Sequence, residues 1–241
     1  MQQWVISDVH GCIRTLKKLL EDHIGLSKEN EYYFLGDLID RGNHSKEVLD
    51  YIISLQTSGY KVFSIVGNHE YMLLQAYDAA KKITEKKWFQ HFKQEKLFCQ
   101  SWHEQLGEKT LRSFNVQLVT DIPTTYIDWL KTLPYYYILP HAILTHAGLN
   151  CKLANPLEAT EEFLFGINCF YDKQWLGDKI VIHGHHVLPM DNIEMLIENV
   201  EKHRYICIDN GCVYAGKIND CGYLLGMEIN TKEIKKQINI D

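Results

Sequence analysis

Three short apolar runs, each closed by a polar cluster, constrain this chain more than any other feature. Residues 3–7 (QWVIS) are β-rich and run into Asp8-Val9-His10-Gly11. Residues 31–35 (EYYFL) end at Gly36-Asp37, and residues 62–66 (VFSIV) end at Gly67-Asn68. Between them, Ile13, Leu16, Leu19 and Leu20 recur at helical spacing over 12–22, as do Val48, Leu49, Ile52, Ile53 and Leu55. A β-α-β-α-β order of this kind predicts an α/β fold with a parallel sheet and right-handed crossovers. The polar residues stand just past each strand's last apolar position. Open α/β sheets place their sites at that edge.

Residues 71–115 change character: long side chains, no proline and one glycine, Gly107. They predict a helical insert. Lys81-Lys82 and Lys86-Lys87 read as a solvated helix face, because Asp78 and Glu85 interrupt the charge. Trp88, Phe89, Phe92, Phe98 and Trp102 read as packing residues. After Pro134 a strand-rich half begins, with apolar runs at 142–145, 179–182, 205–208 and 223–225. No repeat and no Gly/Ser/Pro linker interrupts the chain, so residues 1–241 read as one domain. A net charge of −6 argues against broad nucleic-acid binding. No run of about 20 apolar residues offers a membrane span. The N-terminus has no signal-peptide pattern and the seven cysteines form no CxxC pair, so a cytoplasmic protein with reduced thiols is expected.

Five strand ends each deliver a potential metal ligand: Asp8 with His10, then Asp37, Asn68, His146 and His185. Singly, each reads as a turn, cap or hydrogen-bonded core residue. Together they form an oxygen-and-imidazole set without thiolate, which suits Mn, Fe, Zn or Mg rather than a closed structural zinc site. The set exceeds what one ion needs, and an aspartate able to bridge suggests two ions.

These residues carry a resemblance. Ser7-Asp8-Val9-His10-Gly11, Gly36-Asp37-Leu38-Ile39-Asp40-Arg41-Gly42 and Gly67-Asn68-His69-Glu70 resemble the three signature blocks of the phosphoprotein phosphatase family, within the calcineurin-like metallophosphoesterases. Thr145-His146-Ala147-Gly148-Leu149 and His183-Gly184-His185-His186 resemble its two later histidine blocks. The order matches over about residues 3–215, and the small size is similar to the bacterial and phage lambda phosphatase branch. The resemblance implies a β-sandwich flanked by helices and two divalent ions, with manganese first in expectation. One ion would take Asp8, His10 and Asp37. The other would take Asp37, Asn68, His146 and His185, with Asp37 bridging. His183 is implied to be structural, and His186, at the family's threonine position, competes with His185.

The implied chemistry is attack on phosphorus by a metal-activated hydroxide. His69 resembles the general acid, held protonated by Asp40, and Arg41 and Asn68 resemble the phosphate-binding residues. A second phosphate-binding arginine is missing from its expected place: Ile167 stands there. Only four arginines exist in the chain (Arg14, Arg41, Arg112 and Arg204), and Lys173, Lys179 or Arg204 are the candidates to substitute. The leading expectation is a phosphoserine/phosphothreonine protein phosphatase, acting on a phosphoprotein or a phosphorylated small molecule. The alternative is a diadenosine tetraphosphatase-like hydrolase of nucleotide phosphoanhydrides, and the remaining one a metal-binding scaffold with little turnover. Asp40 and Glu70 tilt the resemblance towards the protein phosphatases.

Overall fold

The computed structural model describes residues 1–85, 102, 106–166 and 168–241. The expectations for Lys86, Lys87, Trp88, Phe89, Phe92, Phe98 and Ile167 lie outside these residues. Among the described residues, no helix is long and apolar enough to cross a membrane.

The first half follows the predicted alternation. Strand β1 (Gln3–Ile6) is followed by α1 (Ile13–Lys18), which widens into a π-helical turn to residue 24. Then come β2 (Glu31–Phe34), α2 (Ser45–Thr57) and β3 (Lys61–Ser64). The three strands pair in parallel, Val5 opposite Tyr33 and Tyr33 opposite Phe63. Helix α3 (Asn68–Glu85) starts inside the third block, at its second residue. The helical region therefore begins before residue 71 and is continuous with the site. Lys81 and Lys82 are exposed on α3, and Trp102 is buried, as their composition predicts. Helices α4 (Glu108–Ser113) and α5 (Thr124–Lys131) lead into the second half.

That half builds a second sheet from β4 (Tyr136–Ile138), β5 (Ala142–Thr145), β6 (Ile180–His183) and β7 (Tyr205–Cys207), in sequential order. The chain then returns to the first sheet through β8 (Tyr223–Glu228) and β9 (Ile234–Ile238), giving the order β3-β2-β1-β8-β9. Strand β8 runs antiparallel to β1, so both sheets are mixed.

Strand alternation sorts the side chains into layers. Val5, Tyr33, Leu144, Ile182, Ile206 and Met227 meet between the sheets in a dry core. Trp4, Ile6, Tyr32 and Phe34 point the other way, beneath Leu16, Leu49, Ile52 and Leu73 of α1–α3. Ile143 and Val181 cover the outer face of the second sheet with Leu149, Phe163 and Leu176. Each sheet is apolar on both faces, which leaves its strand ends as the place for polar chemistry.

Candidate active site

The carboxyl ends of β1, β2 and β3 and of β5 and β6 converge, and bring the expected residues together. His10 Nε2 lies 3.5 Å from Asp37 Oδ2, and His146 Nε2 lies 3.4 Å from Asp37 Oδ1. The two oxygens of one carboxylate therefore face two different histidines. Two groups of donor atoms are close enough to hold an ion: His10, Asp37 and His69, and Asp37, His146 and His185. Asp37 belongs to both.

Each imidazole is turned by its other nitrogen. His10 Nδ1–H donates to the Ile39 carbonyl at 2.9 Å, and His146 Nδ1–H donates to the Leu35 carbonyl at 2.8 Å. A carbonyl only accepts, so the proton sits on Nδ1 and the Nε2 lone pair points inward, the arrangement a metal-bound histidine needs. Burial drives His10 down to about 3, against the pull of Asp37, so that ring is neutral. Burial, with His146 beside it, does the same to His185.

The acceptors face one another. His146 Nε2 lies 2.9 Å from Asn68 Oδ1 and 3.1 Å from His185 Nδ1. Turning the Asn68 amide would relieve part of the conflict by giving His146 and Asp37 a donor. A cation would relieve all of it. Asp8, Asp37, Asp40, Glu70 and Asp209 are also all buried. Asp209, Asp37 and Glu70 each oppose charge on Asp8, and a cation among them would offset that repulsion. On both counts the residues fit a two-ion site of oxygen and nitrogen donors. Cys207 lies nearby but donates its S–H to the Gly184 and His186 carbonyls, and burial pushes its thiol up.

Asp8 enters differently from its expected place. It is outside both donor groups, and its carboxylate accepts the His185 backbone N–H at 3.1 and 3.3 Å. It therefore ties β1 to the β6 turn. Burial, together with Asp209 and Asp37, raises its pKa well above the usual range. His69 joins His10 and Asp37 because Asp40 holds its Nδ1 at 2.8 Å, which turns Nε2 to within 3.8 Å of Asp37. Burial opposes charge on the His69 ring, but Asp37 and the Asp40 hydrogen bond outweigh it and raise its pKa. The Arg41 Nε–H contact to His69 Nε2, at 3.3 Å, is compatible only with the unprotonated ring. Proton gain on Nε2 would thus release Arg41.

Arg41 is half-buried, with its guanidinium 5.5 Å from the Tyr214 ring. The proposed substitutes for a second arginine lie elsewhere. Arg204 is buried and bonded to Glu201 and to the carbonyls of Gly177 and Lys179, at the amino end of β6. Lys173 and Lys179 precede that same end, which is opposite the site. A strand's two ends are about 10 Å apart even in four residues, so none of the three is placed to help. His186 also stays out of the donor groups, although its ring is 4.8 Å from that of His185.

The sequence reading gave no part in the site's geometry to Glu70, Thr110, Asp209 or Tyr214. Glu70 accepts the backbone N–H of Gly67, Asp37, Leu38 and Ile39 at 2.8–3.2 Å, which locks the β2 and β3 loops together. Thr110, on α4, donates to Asp40 Oδ1, and Asp40 N–H donates to both Thr110 Oγ1 and Ser45 Oγ. Asp209 follows β7 just as Asp37 follows β2, and that polar-after-strand pattern could have flagged it. Tyr214 carries no such signal.

Five site residues that carry Cβ atoms have positive φ: His10 (46°), Asp37 (50°), Asp40 (66°), Arg41 (64°) and His185 (67°). Such backbone strain gathers where function over-determines the geometry.

The calcineurin-like phosphoesterase profile matches residues 1–216. A symmetrical bis(5′-nucleosyl)-tetraphosphatase from Buchnera aphidicola is 33% identical over 92 residues, covering 38% of this chain and 33% of that one. The match thus spans a third of that relative's length. An asymmetrical bis(5′-nucleosyl)-tetraphosphatase from Anoxybacillus flavithermus is 26% identical over 251 residues, covering 91% of this chain and 89% of the relative. The crystal structure of a candidate diadenosine tetraphosphatase shares the fold, with a TM-score of 0.64 and 20% identity, covering 100% of this chain and 94% of the other. With two mixed sheets, flanking helices and a donor cluster at the strand ends, the chain belongs to the calcineurin-like phosphoesterase family, whose members carry a dinuclear divalent-metal site.

Proposed function

We propose that the protein is a two-metal hydrolase of nucleotide phosphoanhydrides, cleaving a substrate of the bis(5′-nucleosyl) tetraphosphate type. The observation that carries this reading is the alignment with a bis(5′-nucleosyl)-tetraphosphatase over nine-tenths of both chains. The single arginine near the cluster supports it further, since a protein phosphatase of the resembled type would supply two.

Asp8, His10 and Asp37 would hold one ion, and Asp37, Asn68, His146 and His185 the other. When bound, such ions neutralise phosphoryl charge and acidify a water to near-neutral pKa. The chain's own groups do the rest. Arg41 presents its fork beside His69 and grips phosphoryl oxygens, which frees the His69 ring. The freed His69 ring, whose pKa Asp37 and Asp40 raise, takes a proton from solvent on Nε2 and passes it to the leaving oxygen, while Asp40 keeps Nδ1–H oriented.

The test offers Mn-loaded protein diadenosine tetraphosphate, a phosphoserine peptide and a phosphotyrosine peptide. The dinucleotide should show the highest kcat/KM. A faster peptide would transfer the proposal to protein phosphatases. Silence on all three, with metal bound, would leave a scaffold. A nucleotide is a better leaving group than serine. His69→Asn should therefore cost ~10²-fold or more in kcat on an alkyl phosphate and distinctly less on the dinucleotide. Equal losses would count against His69 as the proton donor.

A further inference from the structure

A cavity of about 330 Å³ opens on the outer face of the second sheet, beside the histidines of the cluster. Among the described residues that line it, Phe170, Tyr171, His183, His186, His203 and Tyr205 carry rings, and none is Lys, Arg, Asp or Glu. Tyr171, His183 and Tyr205 lie nearly parallel, with interplanar angles of 16–22°. Ala147, which follows His146, and His186, which follows His185, join this cavity to the donor cluster.

The lining also holds an unfilled acceptor. His183 is 3% exposed, and its Nδ1–H donates to the Gly184 carbonyl at 3.0 Å. Its Nε2 is buried and has no hydrogen-bond partner among the described residues. Buried polar atoms are rarely left so, and this one belongs to a residue that lines a cavity.

The candidate occupants differ in chemistry. A phosphate would find no Lys or Arg among the described residues of the lining. A metal ion would need donor atoms gathered as they are around Asp37, and among the described residues these imidazoles are not. An aliphatic group would leave His183 Nε2 unpaired. A flat heteroaromatic ring bearing an N–H satisfies both the ring-rich lining and the orphaned nitrogen. Volumes of this size are within the range of small-ligand sites.

We propose that this cavity binds one nucleobase of the substrate, an amino-bearing purine that donates to His183 Nε2 while its phosphates lie at the Asp37 cluster. The proposal rests on the phosphoanhydride reading above. It assigns base recognition to the second sheet and phosphate chemistry to the strand ends.

Calorimetric titration of Mn-loaded protein with adenosine tests it. Adenosine should bind. Purine riboside, which lacks the amino group, should bind about tenfold more weakly, as expected for a buried acceptor left unpaired. Ribose 5-phosphate should not displace adenosine. Tyr205→Ala should weaken adenosine about tenfold, within the range found for lost base stacking, and raise KM for diadenosine tetraphosphate by a similar factor. Phe170→Ala, at a ring already 40% exposed, gives the same reading without touching the core. If the dinucleotide is hydrolysed but adenosine does not bind, or both variants bind it as wild type does, the base site is overturned and the phosphoanhydride reading stands. If adenosine binds and both variants lose it while the dinucleotide is not hydrolysed, the base site stands and that reading falls. Equal affinity for adenosine and purine riboside removes the role given to His183.

Discussion

Thr110 reaches Asp40 from 70 positions along the chain, and Asp40 in turn aims His69. Thr110→Val keeps the shape and removes the hydroxyl, leaving a buried carboxylate oxygen without its donor. The expected cost is ~1–3 kcal/mol of stability, with a drop in kcat and a shifted acid limb in the pH–rate profile. Thr110→Ser should restore both, and an unchanged profile would make Thr110 merely a packing residue. The buried acids make a second prediction. In the metal-free protein, burial and Asp37 push Glu70 up to about 7, burial raises Asp209 to about 6, and Asp8 is raised as well. Glu70 is mostly and Asp209 about half protonated at pH 6, and arriving cations would expel those protons, whereas His10 and His185 are neutral already and release none. Mn binding should therefore release more protons at pH 6 than at pH 8, measured by calorimetry in buffers of different ionisation enthalpy. Proton release that is flat with pH would contradict the assignment.

Between elements, Glu70 is the fastener. It stands one turn into α3 and collects four backbone N–H groups from the two loops that present Asp37 and Asn68. Glu70→Gln supplies one acceptor oxygen in place of two. Metal affinity should fall by 10-fold or more, as when groups that orient ligands are lost, with a smaller loss of thermal stability. Isothermal titration with Mn and a melting curve would separate the two effects, and unchanged affinity would make Glu70 a loop staple alone. Gly67 shows how closely these loops approach: a Cβ there would collide with Asp37. The elements were legible where local pattern decides. Strands β1, β2, β3 and β5 end within two residues of their expected ends, and the candidate ligands His10, Asp37 and His146 past them do gather. Thr110, Glu70 and the Asp8–His185 link were not legible. They depend on which loops meet in space, and nothing in the spacing of a single sequence encodes that meeting. The relatives favour the alternative over the tilt towards protein phosphatases, for a related reason. Asp40 and Glu70 serve the cluster's geometry, so their presence says little about the substrate.

At the scale of the whole molecule, the two sheets bring their carboxyl edges to one cluster, and Asp8 ties β1 to the turn after β6. Ions bound there stabilise only the folded form, so saturation at 100 times Kd contributes ~2.7 kcal/mol per site. Chelation should lower the Tm by several degrees, and Mn should restore it. Asp37→Asn should abolish most of that difference, because it weakens both donor groups at once. A Tm insensitive to chelator in a protein shown to bind Mn would refute the coupling. The left-handed backbone at His10, Asp37, Asp40, Arg41 and His185 has a further consequence. Each costs the fold of order 1 kcal/mol or more, at positions where glycine would sit without strain. A sequence optimised for heat resistance alone would drift towards glycine there and lose its chemistry. The same edge that makes this molecule a catalyst is thus the place where its endurance has been traded away.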